Sequence, residues 1–230
     1  MTSRQTFPAS FLDQAGLNRQ HVFDLAALPE DMAATLGIRP GERQLILLGQ
    51  GGRLLWERIQ VDGCTGEHPI DDYTLRTIRR CFAEHLPESR YRILYPGDHP
   101  VGLQALGTLA GWHHASPFMV GIDGEWGTWY AYRAVILADT DFRPSPAVDR
   151  NSPCASCGDQ PCIGACPAGA MAGGAFALDK CRAFRTRDDS PCAFTCLARL
   201  ACPVGSTHRY DAGQLHHAYT ASLRTLREYG

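Results

Sequence analysis

The sequence predicts an α+β domain followed by a small cysteine-rich module. Short apolar runs bounded by glycine are typical of buried strands, and an amphipathic stretch with apolar residues at three- and four-residue steps is typical of a packed helix. Eight of the ten cysteines fall between residues 154 and 202 of the 230-residue chain. That stretch holds few large apolar side chains, so it needs something other than its own core to order it.

The upstream elements follow from apolar runs and turn residues. We predict a strand over 43–49 with a hairpin partner over 54–61, and a helix that begins after Asp71 and buries Leu75, Ile78, Phe82 and Leu86. Residues 1–40 have no clear periodicity and are predicted as short helices and loops. These elements supply the core of the first domain.

Later elements extend this domain. We predict a strand over 91–95, a helix over 101–110 that Gly111 ends, and an antiparallel hairpin formed by 117–122 and 128–138. Residues 139–153 are rich in proline and lack periodicity, which places the boundary near residue 145. The predicted organisation is therefore an α/β domain over 1–145, a cysteine module over 146–210, and a C-terminal helix over 211–230 that docks on the first domain.

The cysteine spacing is the most specific signal in the chain. The run C-x2-C-x4-C-x3-C is followed by Pro167, and a lone Cys181 precedes three further cysteines, the last followed by Pro203. In bacterial-type ferredoxins the cysteine before proline binds the other cluster. The pattern predicts two 4Fe-4S clusters, the first held by Cys154, Cys157, Cys162 and Cys202, and the second held by Cys166, Cys181, Cys192 and Cys196.

Other uses of cysteine fit less well. Structural zinc sites usually combine two C-x2-C pairs, and this chain has one, Cys154 with Cys157. Disulfides need an oxidising compartment, and the N-terminus has no apolar signal stretch. Cys64 and Cys81 lie far from the run, so both are predicted to be structural thiols rather than cluster ligands. The gaps before Cys162 and Cys202 are longer than the commonest ferredoxin pattern, so the exact ligand partition stays open.

Charge and hydropathy exclude several classes of function. The formal net charge is -2, with both signs interspersed, so no basic face for nucleic acid is expected. No apolar run reaches the roughly 18 residues of a membrane-spanning helix. Because many free thiols persist only in a reducing compartment, we expect a cytoplasmic protein.

Three upstream stretches and the cysteines carry a resemblance to known families. GWHHASPFMVG, GEWGTWYAYRAVILAD and CASC...CIGACP occur in the order seen in epoxyqueuosine reductases, and the eight cysteines match that family in order. HPIDDYTLRTIRRCFAEHLP, LQALGTLAGW and GTWYAYRAVILADTDF are similar to stretches of CblC-type cobalamin-processing proteins. The resemblance covers roughly residues 65–203. It implies a nitroreductase-like mixed sheet with flanking helices, followed by a ferredoxin-like module with two clusters.

The resemblance also implies a corrinoid pocket in the first domain. By position its residues are Trp112, Ser116, Gly127, Trp129, Tyr130 and Arg133. Alternation along strand 128–138 predicts Trp129, Ala131 and Arg133 on one face, with Tyr130 and Tyr132 on the other. Ordinary strand and core packing explains the same residues equally well, and flavin is the alternative ligand.

The chain departs from epoxyqueuosine reductases in two places. Their acidic proton donor corresponds to the segment YPGDHP, where Asp98 is displaced by one residue, and their C-terminal tRNA-holding extension has no counterpart. Epoxyqueuosine reduction is therefore not expected, and no catalytic residue is predicted. The leading hypothesis is an oxidoreductase that passes electrons from two clusters to bound cobalamin, served by a flavodoxin, ferredoxin or reductase. The alternatives are a ferredoxin-like carrier without corrinoid and a flavin-dependent small-molecule reductase.

Overall fold

A computed structural model of the chain describes residues 5–146 and 151–228. They form two compact units that divide the chain differently from the predicted domains. The first unit contains the residues up to Ala110 and those from Tyr130 to the end of the first described range. The second unit contains Gly111–Trp129 and the residues from 151 onward. Residues 147–150, beside the predicted boundary at 145, lie outside the described residues.

The first unit is built on a sheet with strand order β1-β2-β4-β3. Every strand pair described is antiparallel, so this part of the chain does not show the mixed sheet that was predicted. The strands are β1 Arg19–Asp24, β2 Gln44–Gly51, β3 Tyr91–Tyr95 and β4 Tyr130–Ala138. The central strands β2 and β4 are buried along most of their length, which is why their sequences are apolar runs rather than alternating ones.

Helices cover this sheet, and one replaces a predicted strand. They are α1 Ala9–Gln14, α2 Glu30–Thr35, α3 Leu54–Asp62, α4 Pro69–His85 and α5 Leu103–Leu109. The hairpin partner predicted over 54–61 is wrong, because Leu55 and Ile59, four residues apart, bury one helical face. Helix α4 begins at Pro69 rather than after Asp71, since proline suits the first helical position.

Two strand predictions also need correction. Strand β1 lies in the region predicted as helices and loops, where its pattern is hidden by polar residues at one end. Residues 117–122 are not a strand and make one isolated bridge, between His114 and Ile122. Strand β4 pairs instead with β2 and β3. The predicted hairpin is wrong because the turn at Asp123 closes on Gly127, before the strand begins.

The core of the first unit forms between helices and sheet. Ile78, Phe82 and Leu86 pack against Ile46 and Ile136 in a single cluster of buried side chains. Cys81 belongs to the same cluster and is 3% exposed, as predicted for a small buried hydrophobe. Burial raises the pKa of the Cys81 thiol to about 11, which keeps the thiol neutral.

The second unit contains short helices joined by turns, followed by a helix of 17 residues. They are α6 Pro161–Gly164, α7 Leu178–Arg185, α8 Leu197–Ala201 and α9 Ala212–Glu228. The side chain of Asp211 accepts a hydrogen bond from the Gln214 backbone N–H at 2.7 Å, as the sequence predicts for the start of α9.

Helix α9 packs within the second unit. The ring of His216 stacks on Phe194 at 4.5 Å, and the Arg185 guanidinium donates to the Ser222 hydroxyl at 3.1 Å. The docking of this helix on the first domain stays a prediction. Within the described residues, no helix is both long and apolar enough to cross a membrane.

Candidate metal centre

The eight cysteines of the run all lie in the second unit, on its short helices and in the turns between them. Cys154 lies on the 3₁₀ turn Pro153–Ser156, Cys162 on α6 and Cys181 on α7. Cys196 directly precedes α8, and Cys202 directly follows it. Short helices with turns between them bring thiols that are distant in sequence into the same small volume.

The first cysteine set, defined as Cys154, Cys157, Cys162 and Cys202, shares one electrostatic neighbourhood. Burial raises the pKa of the Cys154 thiol, and Cys202, Cys162 and Cys157 raise it further. The pKa of Cys162 is raised by burial and then by Cys202 and Cys157. Cys202, forty residues beyond Cys162 in sequence, therefore lies close enough to repel the charge of both thiolates.

The second cysteine set, defined as Cys166, Cys181, Cys192 and Cys196, behaves in the same way. Burial raises the pKa of Cys181, and the nearby thiols of Cys196, Cys166 and Cys192 add to the increase. Burial also raises the pKa of Cys196, with Cys192 contributing. The lone Cys181 and the proline-flanked Cys166 thus share the neighbourhood of the last two members.

Backbone hydrogen bonds act against this repulsion. The Cys196 sulfur accepts from the backbone N–H groups of Arg199 and Ala198, which lowers the pKa of its thiol against the effect of burial. The Cys162 sulfur is stabilised similarly by the N–H group of Ile163, which lowers its pKa. N–H groups aimed at sulfur favour thiolate over thiol, which is the form that binds metal.

An apolar shell surrounds the thiols. Phe118 and Met171, which are 6% and 2% exposed, pack in one cluster with Cys162, Cys166 and Cys196. Phe118 comes from residues 111–129, so this segment contributes to the surroundings of both cysteine sets. Apolar packing keeps water from the sulfur atoms and lowers the local dielectric constant.

No three His, Cys, Asp or Glu side chains in the described ranges 5–146 and 151–228 converge tightly enough to hold one metal ion. A cubane cluster requires a different placement of its ligands, because each of its four iron atoms binds one thiolate. Four sulfur atoms around a cubane stand farther apart than four ligands around a single ion. The donor chemistry, four soft sulfur atoms in each set, suits iron-sulfur clusters.

Two buried arginines, which sequence reasoning missed, border the second cysteine set. Arg185 donates to the Cys192 carbonyl at 3.1 Å, and its charge lowers the pKa of Cys181 against the effect of burial. Arg199 lowers the pKa of Cys196 in the same sense. Their spacing, four residues after Cys181 and three after Cys196, is the helical spacing that places side chains on one face. That spacing is the signal that could have identified them.

The segment 111–129 contains four of the six predicted cofactor residues. Trp112 is 7% exposed, and the Ser116 hydroxyl donates to the Val120 carbonyl at 2.5 Å. Gly127 has a positive φ of 59°, and a Cβ there would lie 2.0 Å from the Val204 carbonyl oxygen. Glycine at 127 is therefore explained by two backbones in close contact.

Trp129 is fully buried within the second unit. The Arg199 guanidinium lies 4.2 Å from its ring centre, and the Tyr210 ring approaches edge-on at 5.4 Å. Trp129 precedes β4, which begins at Tyr130, so the predicted placement of Trp129 and Arg133 on one strand face is wrong. Side chains alternate between the two faces only within a strand, so the alternation does not extend to Trp129.

The other two predicted cofactor residues lie in the first unit. The Arg19 guanidinium lies 4.5 Å from the Tyr130 ring centre. Arg133 donates to Gln50 Oε1 at 3.0 Å from a bulge, where β4 has one residue more than β2. Arg133 is half-buried, so part of the residue stays accessible to solvent. Burial raises the pKa of nearby Tyr95, whereas the Arg133 charge opposes that increase.

With this geometry established, the chain can be compared with proteins of known structure. It shares the fold of epoxyqueuosine reductases. The enzyme from Streptococcus thermophilus aligns with a TM-score of 0.52 and 12% identity, over 85% of this chain and 64% of that one. The enzyme from Bacillus subtilis aligns with a TM-score of 0.50 and 12% identity, over 88% and 66%. Neither protein-family models nor curated protein sequences give a match.

The chain spans slightly less than two thirds of the epoxyqueuosine reductases that it matches. At 12% identity this likeness concerns the fold alone, an antiparallel sheet with helices. A B12-trafficking protein CblC from C. elegans aligns with a lower TM-score of 0.44 and 10% identity, over 92% of this chain and 89% of that one.

Proposed function

We propose that this chain is an iron-sulfur redox protein whose second unit carries two 4Fe-4S clusters and whose first unit binds a corrinoid that receives their electrons. The observation that carries the proposal is the interleaving of the two cysteine sets. Cys202 shares a neighbourhood with the first three cysteines of the run, and Cys166 shares one with Cys181, Cys192 and Cys196. This exchange of ligands is typical of two-cluster ferredoxins.

The residues around the thiols have defined tasks in this proposal. Backbone N–H groups at Cys162 and Cys196 favour the thiolate form. Phe118 and Met171 exclude water from the sulfur atoms. When bound, a 4Fe-4S cluster supplies one-electron reduction and oxidation at a potential set by charge, hydrogen bonds and exposure. The chain therefore orients the ligands and sets the dielectric environment, and it needs no acid or base for electron transfer.

The corrinoid part of the proposal depends on the sequence resemblance and on Arg133. A corrin bears amide groups at its rim, and in this proposal the half-buried Arg133 donates from its guanidinium to their carbonyl oxygens. Gln50 holds Arg133 at 3.0 Å and so orients it. Trp129 is not proposed as a corrin contact, because Arg199 and Tyr210 already cover its ring. Reduction or dealkylation of cobalamin is the proposed reaction class.

A protein of this kind needs a one-electron donor. We propose a flavodoxin, a ferredoxin or a flavoprotein reductase, because these proteins deliver electrons singly to clusters. The interspersed surface charges of the chain suit a transient protein partner better than nucleic acid. The cytoplasm is the proposed compartment, since it keeps free thiols reduced.

Metal analysis tests the cluster half of the proposal. Anaerobically reconstituted protein is expected to hold about eight irons and about eight sulfides per chain, because each set supplies four thiolates. Cys181→Ser should reduce the iron content, whereas Cys64→Ser, a control in the first unit, should leave it unchanged. Stoichiometric zinc without sulfide would refute the proposal.

Ligand titration tests the corrinoid half. Cobalamin and flavin are added separately to cluster-loaded protein, and binding is followed through their visible bands. Cobalamin should bind, and Arg133→Ala should weaken its binding at least tenfold. Arg79→Ala, an exposed arginine of α4, serves as the matched control. Flavin binding without cobalamin binding would favour the flavin-dependent reductase, and binding of neither would favour the ferredoxin-like carrier.

A further inference from the structure

The second cysteine set is bordered by two arginines that are almost completely buried. Arg185 is 8% exposed and Arg199 is 7% exposed. Arginine keeps its charge in any protein environment, and burying it costs free energy unless hydrogen bonds and nearby negative charge compensate. Two such residues beside one group of thiols require an explanation beyond packing.

Arg199 is held by neutral groups. Its Nε donates to the Thr128 hydroxyl at 3.2 Å, and a terminal N–H group donates to the Thr128 carbonyl. The rings of Trp129 and Tyr210 cover the guanidinium, with centres 4.2 and 4.9 Å away. None of these partners carries a negative charge at neutral pH. Against the effect of burial, the Arg199 charge lowers the pKa of the Cys196 thiol, a member of the second cysteine set.

Arg185 is held in a similar way. It donates to the carbonyls of Cys192 and Ala193 at 3.1 and 3.4 Å and to the Ser222 hydroxyl at 3.1 Å. Its guanidinium carbon lies 5.1 Å from the Tyr219 ring centre. The hydrogen bond to the Cys192 carbonyl places the Arg185 side chain at the second cysteine set.

The first cysteine set has a weaker arrangement. Arg209 is half-buried, and it reaches the Cys202 carbonyl at 3.5 Å while donating chiefly to the Leu200 carbonyl at 2.6 Å. Among the residues that the structure describes, no arginine is a leading cause of the pKa shifts of Cys154 and Cys162. In the part of the second unit that the structure describes, the buried arginine charge therefore lies at the second set.

We infer that Arg185 and Arg199 make the cluster at the second cysteine set the more easily reduced of the two. The inference rests on the proposed function, since it requires both clusters. Reduction adds one electron and one negative charge, and no bond or proton is exchanged. Two fixed positive charges in a low-dielectric shell stabilise the added charge. The first electron supplied by the donor protein therefore rests at the second set.

The test is a potentiometric titration of the reconstituted full-length chain, with dithionite as reductant and electron paramagnetic resonance as readout. Two one-electron steps are expected. Arg199→Gln and Arg185→Gln should each move the step at higher potential to a more negative value. The expected change is at least tenfold in its reduction equilibrium constant, which is 59 mV for a one-electron couple. The other step should move by less than threefold.

Three controls separate charge from packing. Arg199→Lys and Arg185→Lys keep the charge and should restore most of the lost potential. Arg224→Gln removes an exposed arginine of α9 and should change neither step. Because Arg199 is packed between two rings, Arg185→Gln carries the test if Arg199→Gln does not keep its iron.

The outcomes distinguish the inference from the function that it deepens. Wild-type protein without iron and sulfide would refute the proposed function itself. With both clusters present, equal potentials in the wild type would overturn the inference. A shift confined to the step at lower potential, or equal shifts in the lysine and glutamine variants, would also overturn it.

Discussion

The guanidinium carbon of Arg199 lies 4.2 Å from the ring centre of Trp129, and the ring is fully buried. A cation placed over an indole face is stabilised by the ring electrons, and the gain grows when both partners are shielded from water. Tyr210 completes this arrangement from the edge. Trp129 thus joins the segment 111–129 to α8, the helix between Cys196 and Cys202.

Trp129→Ala should strongly destabilise the second unit. Removing a buried indole costs about 3 to 5 kcal/mol through lost burial and the cavity left behind, and here it also uncovers a buried cation. The measurement is denaturant unfolding of cluster-loaded protein, followed by cluster absorbance. Phe194→Ala, at a ring that is 45% exposed, is the control and should cost about 1 kcal/mol or less. Equal effects of the two substitutions would contradict the role given to Trp129.

Gly127→Ala should disrupt the same part of the chain for a different reason. A Cβ at Gly127 would lie 2.0 Å from the Val204 carbonyl oxygen, and φ is 59°. Backbone cannot yield as a side chain does, so we expect a loss of about 2 kcal/mol or more in unfolding free energy. Gly124→Ala, where a Cβ meets nothing within 4 Å, is the matched control. If Gly127→Ala were as stable as Gly124→Ala, the close contact of the two backbones would be refuted.

The sequence predicted β3 and most of β2 and β4. Each is a continuous apolar run that is too short for a typical helix, so a buried strand is the secondary structure that it favours. It failed at residues 54–61, where Leu55 and Ile59 suit either a strand or one face of a helix. It also failed at 117–122, where the choice depends on contacts with cysteines forty or more residues away. Local patterns contain no information about such contacts.

The candidate site, like the fold, could be predicted from the sequence only in part. Cysteine spacing predicts two sets of four thiols, since the chemistry of cluster ligands limits them to few arrangements. The residues that act on those thiols were not predicted, because Arg185, Arg199 and Phe118 resemble ordinary surface or core residues in the sequence. Their role depends on burial, which emerges only from the packed second unit.

The stability of the first unit should depend on pH through His21. This residue is 4% exposed on β1, and burial lowers its pKa from 6.5 to about 4. A base with a lowered pKa binds its proton more readily when unfolded, so its contribution is complete above pH 6.5 and is lost as the pH falls towards 4. The shift of 2.5 units, 6.5 less 4, corresponds to about 3 kcal/mol.

Denaturant unfolding between pH 7 and pH 4 measures this dependence. His21→Leu should flatten the decline, whereas His68→Ala, at an exposed histidine, should leave it unchanged. A wild-type protein whose first unit gained stability as the pH fell through this range would contradict the assignment.

Removal of iron should disorder the second unit and leave the first unit folded. Burial and mutual repulsion raise the pKa values of Cys154, Cys162, Cys181 and Cys196, so the thiolates are unfavourable without metal. The backbone entropy of ordering is about 1 to 2 kcal/mol per residue, and few large apolar side chains lie between residues 154 and 203 to offset it. After chelation, limited proteolysis should cleave within 151–202 while residues 43–110 and 130–138 stay protected.

The same pKa shifts fix how iron loss depends on pH. Protons compete with iron for each thiolate, and a raised thiol pKa means tighter proton binding, so loss to a chelator should accelerate as the pH falls from 9 to 6. Each thiolate released takes up one proton, and more than one must be released, so the apparent affinity should change by more than about tenfold per pH unit. Protonation weakens the chelator as the pH falls and by itself would slow the loss of iron. Faster loss at lower pH would therefore come from protonation of the cysteine ligands. Iron loss that slowed with falling pH, or uniform protease resistance after complete iron removal, would show that thiolate ligation does not order the second unit.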